Sequence, residues 1–176
     1  MSVMQQIHVG KRKAPPRLLV YGTEGIGKST FAAQAPSPIF ISTEDGLNQI
    51  DCASFPLAKK YTDVHRYLKA LVREDHDFQT VAIDSCDWLE QLIWDDLCFI
   101  KGVATIEQVD NGYGKGYIAA LRYWREIIDL LDVLHKQRNM AVILIAHTKV
   151  ERFEDPETKS YDRFTPRMHR RVNEAL

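Results

Sequence analysis

The chain has 176 residues, 45% of them hydrophobic and 27% charged, which suits one globular domain with a real core. Its 23 lysines and arginines stand against 24 acidic residues, a formal net charge of -1, so global charge is silent about nucleic acid and any basic surface must be local. Three cysteines, Cys52, Cys86 and Cys98, with no CxxC spacing exclude a disulfide framework or a zinc site and predict reduced thiols. The apolar runs, such as Ala141 to Ala146, are too short to cross a bilayer, and no apolar stretch follows the basic N-terminus; the expectation is a soluble cytoplasmic protein with no membrane partner.

Residues 1–16, with Lys11-Arg12-Lys13 before Pro15-Pro16, predict a flexible arm ahead of a core spanning 17–176. Arg17 to Tyr21 reads as a buried strand, and Lys28 to Ala35 as a short helix stopped by Pro36 and Pro38. Ile39 to Ser42 is a second strand. Thr62 is placed to cap a helix whose apolar positions Val64, Tyr67, Leu68, Leu71 and Val72 share one face. "TVAID", Thr80 to Asp84, is a third strand and 87–100 a helix. Residues 101–116, with "DNGYGKG", predict a mobile loop. Ile118 to Lys136 is the longest helical pattern, with Leu121, Trp124, Ile128, Leu131 and Leu134 as its stripe. "MAVILIA", Met140 to Ala146, is a fourth strand, and 147–166 a second long loop. Strands that are continuous apolar runs, alternating with helices, predict an α/β fold with a parallel sheet covered on both faces. The chain stops at "VNEAL" inside a helical stretch, so the expectation is a core truncated at its C-terminus.

The stretch "LLVYGTEGIGKST" fits G-x-x-x-x-G-K-[ST] between a strand and a helix. Successive backbone N–H groups from Gly22, Thr23, Glu24, Gly25, Ile26, Gly27, Lys28, Ser29 and Thr30 can curl around a polyphosphate, and the glycines allow the close approach. The helix that follows points its N-terminal end at the phosphates. Lys28 reaches the β- and γ-phosphates and the Ser29 hydroxyl takes Mg²⁺. ATP with Mg²⁺ is the predicted cofactor. Asp84, ending the third strand, is the expected second metal ligand. The residue after it is Ser85, so a water-aligning carboxylate must come from elsewhere, and Glu44, following the second strand in "IFISTEDGL", is the candidate; Asp45 is a weaker one. His147, after the fourth strand, is placed to respond to the γ-phosphate. Lys28, Glu44, Asp84 and His147 form the expected catalytic set.

The order of P-loop, "FISTEDGL", "VAIDS" and "LIAHTK" resembles the RecA-type P-loop ATPase core. With "NGYGKGY" and "YDRF" it is similar to phage-encoded proteins that consist of little more than that core and act as single-strand annealing recombinases. The resemblance covers roughly residues 17–167. It implies ATP-dependent binding of single-stranded DNA, assembly into rings or filaments of the same chain, and annealing or recombination beside a single-strand-binding protein, in a bacterial host cell. It implies two DNA-binding loops, here around Asn111 to Tyr117 and from Val150 to Pro166. These offer Tyr113, Lys115, Tyr117, Lys149, Arg152, Lys159, Tyr161, Arg163 and Arg167, where cations can meet phosphates and aromatic rings can stack on unpaired bases. Glu151, Glu154, Asp155, Glu157 and Asp162 oppose that surface, and His147 stands where RecA carries glutamine. A neighbouring protomer's arginine, for which Arg152 and Arg163 are candidates, would complete the ATP site. Two other readings fit the P-loop: a small-molecule kinase using 150–166 as a lid, and a non-catalytic nucleotide switch that loads another protein onto DNA.

Overall fold

The computed structural model describes residues 4, 7, 10, 14–154 and 160–176. In chain order its elements are β1 (Arg17–Gly22), α1 (Lys28–Ala33), β2 (Pro38–Ser42), β3 (Ala53–Ser54), α2 (Tyr61–Arg73), β4 (Thr80–Asp84), α3 (Cys86–Lys101), a 3-10 segment (Ile106–Asn111), α4 (Lys115–Gln137), β5 (Ala141–Phe153), β6 (Tyr161–Pro166) and α5 (Arg170–Asn173). The predicted arm lies mostly outside the described residues.

The strands pair in the order β1-β5-β4-β2-β3, all parallel, with β6 antiparallel on the far half of β5. Alternate side chains of each apolar run go to opposite faces. Leu19, Ile39, Ile41, Val81, Ile83, Val142 and Leu144 meet the layer of α2, α3 and α4. Phe40, Ala82, Ile143 and Ile145 meet Ala32 of α1 on the other side. Burial on both faces is why these runs carry no polar alternation. The two coverings are unequal: one is three long helices, the other a single helix of six residues. The α/β P-loop sheet with helices on both faces is therefore what the chain forms.

Local details depart from the sequence reading in four places. Thr62 does not cap α2; Lys60 is the N-cap residue, without a side-chain cap, and Asp63 instead accepts the Lys59 amide at 3.1 Å. The buried stripe of α4 runs through Ala120, Trp124, Ile127, Leu131 and Leu134, so Ala120 and Ile127 take the places expected for Leu121 and Ile128. The glycine-rich region is not a loop throughout. Residues 106–111 form a 3-10 segment broken by a kink at Val109 and Asp110, with Ile106 and Val109 buried, and α4 begins at Lys115, three residues ahead of the expected Ile118. Finally, the described residues of 147–166 are a strand extension and a second strand rather than a loop: β5 continues past the parallel sheet and pairs with β6 from Thr148↔Pro166 to Phe153↔Tyr161.

Gly116 accounts for how closely the start of α4 lies against the 3-10 segment. A Cβ at this position would lie 2.0 Å from the Ile106 carbonyl oxygen and 3.0 Å from Val109 Cβ, so the two backbones touch directly. Glycine to alanine inside a helix ordinarily stabilises by about 1 kcal/mol. Gly116→Ala is predicted to do the reverse, losing roughly 1–3 kcal/mol through overpacking, as read from the urea midpoint. A midpoint equal to or above that of the parent chain would show that this contact does not hold the segment.

Candidate functional site

Parallel strands deliver their C-terminal ends to one edge, and here four chemically distinct segments meet on it. β5 lies between β1 and β4, with His147 in register with Gly22 and Ile145 with Asp84. On the far side of β4, Ser42 is in register with Asp84. Thr43 then ties these ends together. Its amide donates to the Asp84 carbonyl at 2.8 Å, its hydroxyl donates to the Ser85 carbonyl at 2.7 Å, and the Ser85 amide donates back to that hydroxyl at 2.9 Å. The Asp84–Ser85 peptide bond is cis. Glu44, the next residue after Thr43, is thereby held over the same edge as Asp84.

The loop from Gly22 to Thr30 leaves β1 and turns into α1 through Gly27, whose φ of +97° favours glycine, with open space around it. α1 is too short for its dipole to be the main attraction, so the cradle rests on the loop amides themselves. Lys28 is nearly buried, and its Nζ donates to the carbonyls of Gly22 at 3.1 Å and Thr23 at 2.9 Å. The ammonium is thus held across the loop's mouth. Glu24 and Ile26 are exposed, consistent with a loop that presents backbone inward. Ser29 Oγ donates to Asp84 Oδ2 at 2.5 Å. This hydroxyl–carboxylate pair fits Mg²⁺, a hard cation that takes one or two protein oxygens and fills its other positions with water and phosphate. No cluster of three or more His, Cys, Asp or Glu that could cage a metal occurs among the described residues.

The cavity beside the loop has a volume of about 450 Å³ and is lined by Lys28, Ser29, Glu44, Asp45, Asp84 and His147, with loop glycines. Burial raises the Asp84 carboxyl above its ordinary range, opposed by the Ser29 hydroxyl and Lys28. Burial likewise raises Glu44, with Asp84 and Asp87 adding to it and His147 opposing. Such an acidic edge favours a bound cation. His147 Nδ1 is 3.8 Å from Glu44 Oε1.

Asp87 is a residue the sequence did not single out. Only 4% exposed, it accepts from the His147 amide at 3.0 Å and from His147 Nδ1 at 3.0 Å. A carboxylate only accepts, so Nδ1 carries the proton and Nε2 is the nitrogen left to answer a ligand. Arg167 Nη2 lies 3.5 Å from Asp87, and the Arg167 amide donates to the His147 carbonyl at 2.8 Å. The base of the β5–β6 ribbon is therefore bonded to the residue beside the loop. The clue available in the sequence was an acid in the first turn of the helix after "VAIDS"; nothing local marked its partner.

The candidates from the two expected DNA loops are only partly brought together. Tyr117 and Lys149 line one cavity. Tyr113 is 96% exposed, its ring outside the core. Lys115 is exposed at the start of α4. Lys149 Nζ donates to the Met168 carbonyl at 3.1 Å and pairs with Glu151 at 2.8 Å. Arg152 lies opposite Asp162 in the ribbon, and Arg163 sits 4.4 Å over the Phe153 ring. Lys159 lies outside the described residues.

This fold and this loop define a P-loop nucleotide-binding protein. The chain belongs to the AAA domain family, whose model matches residues 14–176. It is 25% identical over 148 residues to the SPbeta prophage-derived uncharacterized protein YorG of Bacillus subtilis (strain 168), a match covering 82% of this chain and 43% of that protein. The chain thus spans less than half the length of the curated relative it matches. Among solved structures it is similar to the RadB recombinase, at 19% identity and a TM-score of 0.49, covering 84% of this chain and 68% of that one. No helix among the described residues is long and apolar enough to cross a membrane.

Glu90, one turn beyond Asp87, gives a pH-dependent handle on this region. It is 2% exposed, and burial pushes its carboxyl up to about 7, against the His169 amide that it accepts and Lys149 nearby. Between the ordinary value of 4.5 and about 7, the folded chain keeps a proton that the unfolded chain has released. Its contribution to stability is complete below that window and is lost as pH rises through it, by roughly 3 kcal/mol. Glu90→Gln keeps an acceptor for the His169 amide and is predicted to flatten this fall, measured as urea midpoints from acid to neutral pH. A slope identical in both chains would remove Glu90 as its source.

Proposed function

We propose that this chain is a Mg²⁺-dependent ATPase whose nucleotide cycle governs binding of single-stranded DNA, in annealing or recombination. The observation that carries the reading is the convergence of Lys28, the Ser29–Asp84 pair, Glu44 and His147 on one sheet edge. In this reading the loop amides and Lys28 hold the triphosphate, and Ser29 and Asp84 hold Mg²⁺. The ion supplies charge neutralisation at the phosphates. Glu44 aligns the attacking water and accepts its proton, a role suited to a carboxyl whose proton affinity burial has raised. His147, oriented by Asp87, answers the γ-phosphate and passes its state to the ribbon through Arg167.

The P-loop family and the prophage setting of its relative support the nucleotide and phage parts of this reading. The DNA part is supported by the ribbon, which carries Arg152 and Arg163 directly beyond His147 on β5 and β6. Self-assembly into a ring or filament, with an arginine from a neighbouring copy at the γ-phosphate and a single-strand-binding protein alongside, belongs to the same proposal. A kinase would require an acceptor pocket in place of Glu44, and the pairing of the ribbon's two strands is less suited to a free lid.

The central test is ATP turnover with and without single-stranded DNA. The parent chain is predicted to be stimulated, and Glu44→Gln to bind ATP as before while turnover falls by about a hundredfold or more. Equal rates with and without DNA would sink the coupling, and unchanged turnover in the variant would remove Glu44 from the chemistry. Asp87→Asn is predicted to keep ATP binding within a few-fold and to lose the DNA stimulation. Retained stimulation would show that His147 needs no such partner.

A further inference from the structure

A second cavity, of about 370 Å³, is lined in part by Asp87 and shares no lining residue with the cavity beside the phosphate loop. That volume is at the small end of ligand sites. Its walls come from one face of α3, where Asp87, Glu90, Gln91 and Trp94 recur at helical spacing, and from Tyr117 and the segment 167–169.

The chemistry of these walls is specific. Trp88 is 44% exposed at the rim. Trp94 meets Tyr117 edge-on at 5.4 Å, and Tyr117 stacks on His169 at 4.4 Å with planes 8° apart. These three rings make an aromatic shelf, and the Trp88 indole lines the same cavity. The acidic residues in the wall are already engaged. Asp87 is held by His147 and Arg167, and both Glu90 oxygens accept the His169 amide. Two cations stand at the same opening: Arg167, 54% exposed, and Lys149, whose ion pair with Glu151 is partly exposed and easily exchanged. Gln91 is exposed and offers both a donor and an acceptor.

We propose that this cavity seats one unpaired nucleotide of single-stranded DNA, its base stacked on Trp88 and the shelf, its edge against Gln91, and its phosphate at Arg167 and Lys149. The inference rests on the DNA-binding reading given above and specifies where one nucleotide is held. Stacking against an indole tolerates any base, as an annealing activity requires. Because Asp87 forms the partition between this cavity and His147, an occupied nucleotide site is one side chain away from the residue that faces ATP. That gives the DNA stimulation of turnover a short physical route.

The test is equilibrium binding of a labelled oligodeoxythymidylate, read by anisotropy and by quenching of intrinsic tryptophan fluorescence, with an ATP analogue present. Trp124 is buried and serves as an unquenched background. The parent chain is expected to bind with quenching. Trp88→Ala should weaken binding about tenfold and cut the quench to the part contributed by Trp94, while binding the ATP analogue as the parent does. Gln91→Glu changes only the exposed rim and should weaken binding several-fold, more so at low salt. DNA binding by both variants equal to the parent, or parental binding without quenching, overturns this site and leaves the DNA-binding reading standing. A parent chain that binds no single-stranded DNA under any nucleotide condition overturns both.

Discussion

Everything at the nucleotide edge depends on two strand ends being held level, and a single hydroxyl does this. Thr43 gives and takes hydrogen bonds with the backbone of Ser85 while its amide reaches the carbonyl of Asp84. Without that joint, the ends of β2 and β4 would be free to splay where ladder hydrogen bonding stops, and Glu44 would have no fixed relation to Asp84. The joint is withdrawn from solvent, with Thr43 at 5% and Ser85 at 0% exposure, so its hydrogen bonds do not compete with water. It turns two acids from separate strands into one electrostatic unit. Each of them is raised by burial, and a cation is the natural relief.

How much could be read without coordinates follows from where side chains go. β2, β4 and the first half of β5 were legible because both of their faces are covered, leaving continuous apolar runs; β1, expected to be buried, is an edge strand with Leu18 and Tyr21 exposed. The P-loop was legible because its residues act through spacing along the chain. The ribbon was not. One of its faces is open: Val150 and Phe164, opposite each other, remain 59% and 64% exposed. The better-covered positions of the extension, Lys149, Glu151 and Phe153, alternate with exposed Val150 and Arg152, but two of those three are charged, so the alternation leaves no apolar period in the sequence and the segment looked like a charged loop. The glycines of "GYGKG" were legible as turn-formers, but Gly116 is there for a close approach of backbone to Ile106, which no local pattern reveals. Asp87 escaped for a related reason. Its partners, His147 and Arg167, are 60 and 80 residues away, and a first-turn acid is unremarkable on its own.

The nearly neutral overall charge fits this arrangement. The buried acids stand where a cation can neutralise them, as with Asp84, or are held by internal donors, as with Asp87 and Glu90. The cations beside them are left nearer the surface. Local sign, set by which acids have internal partners, then differs from the formal sum over the chain.

β5 passes without a break from the centre of the parallel sheet, through His147, into the ribbon. An extended strand rises about 3.3 Å per residue, so the stretch from His147 to Phe153 forms an arm roughly 20 Å long. A tilt of about 10° at its root would carry the far end ~3.5 Å sideways. The unbroken strand thus acts as a lever: a tilt at His147 too small to disturb the sheet would become a displacement as large as an atom's diameter at the outer end.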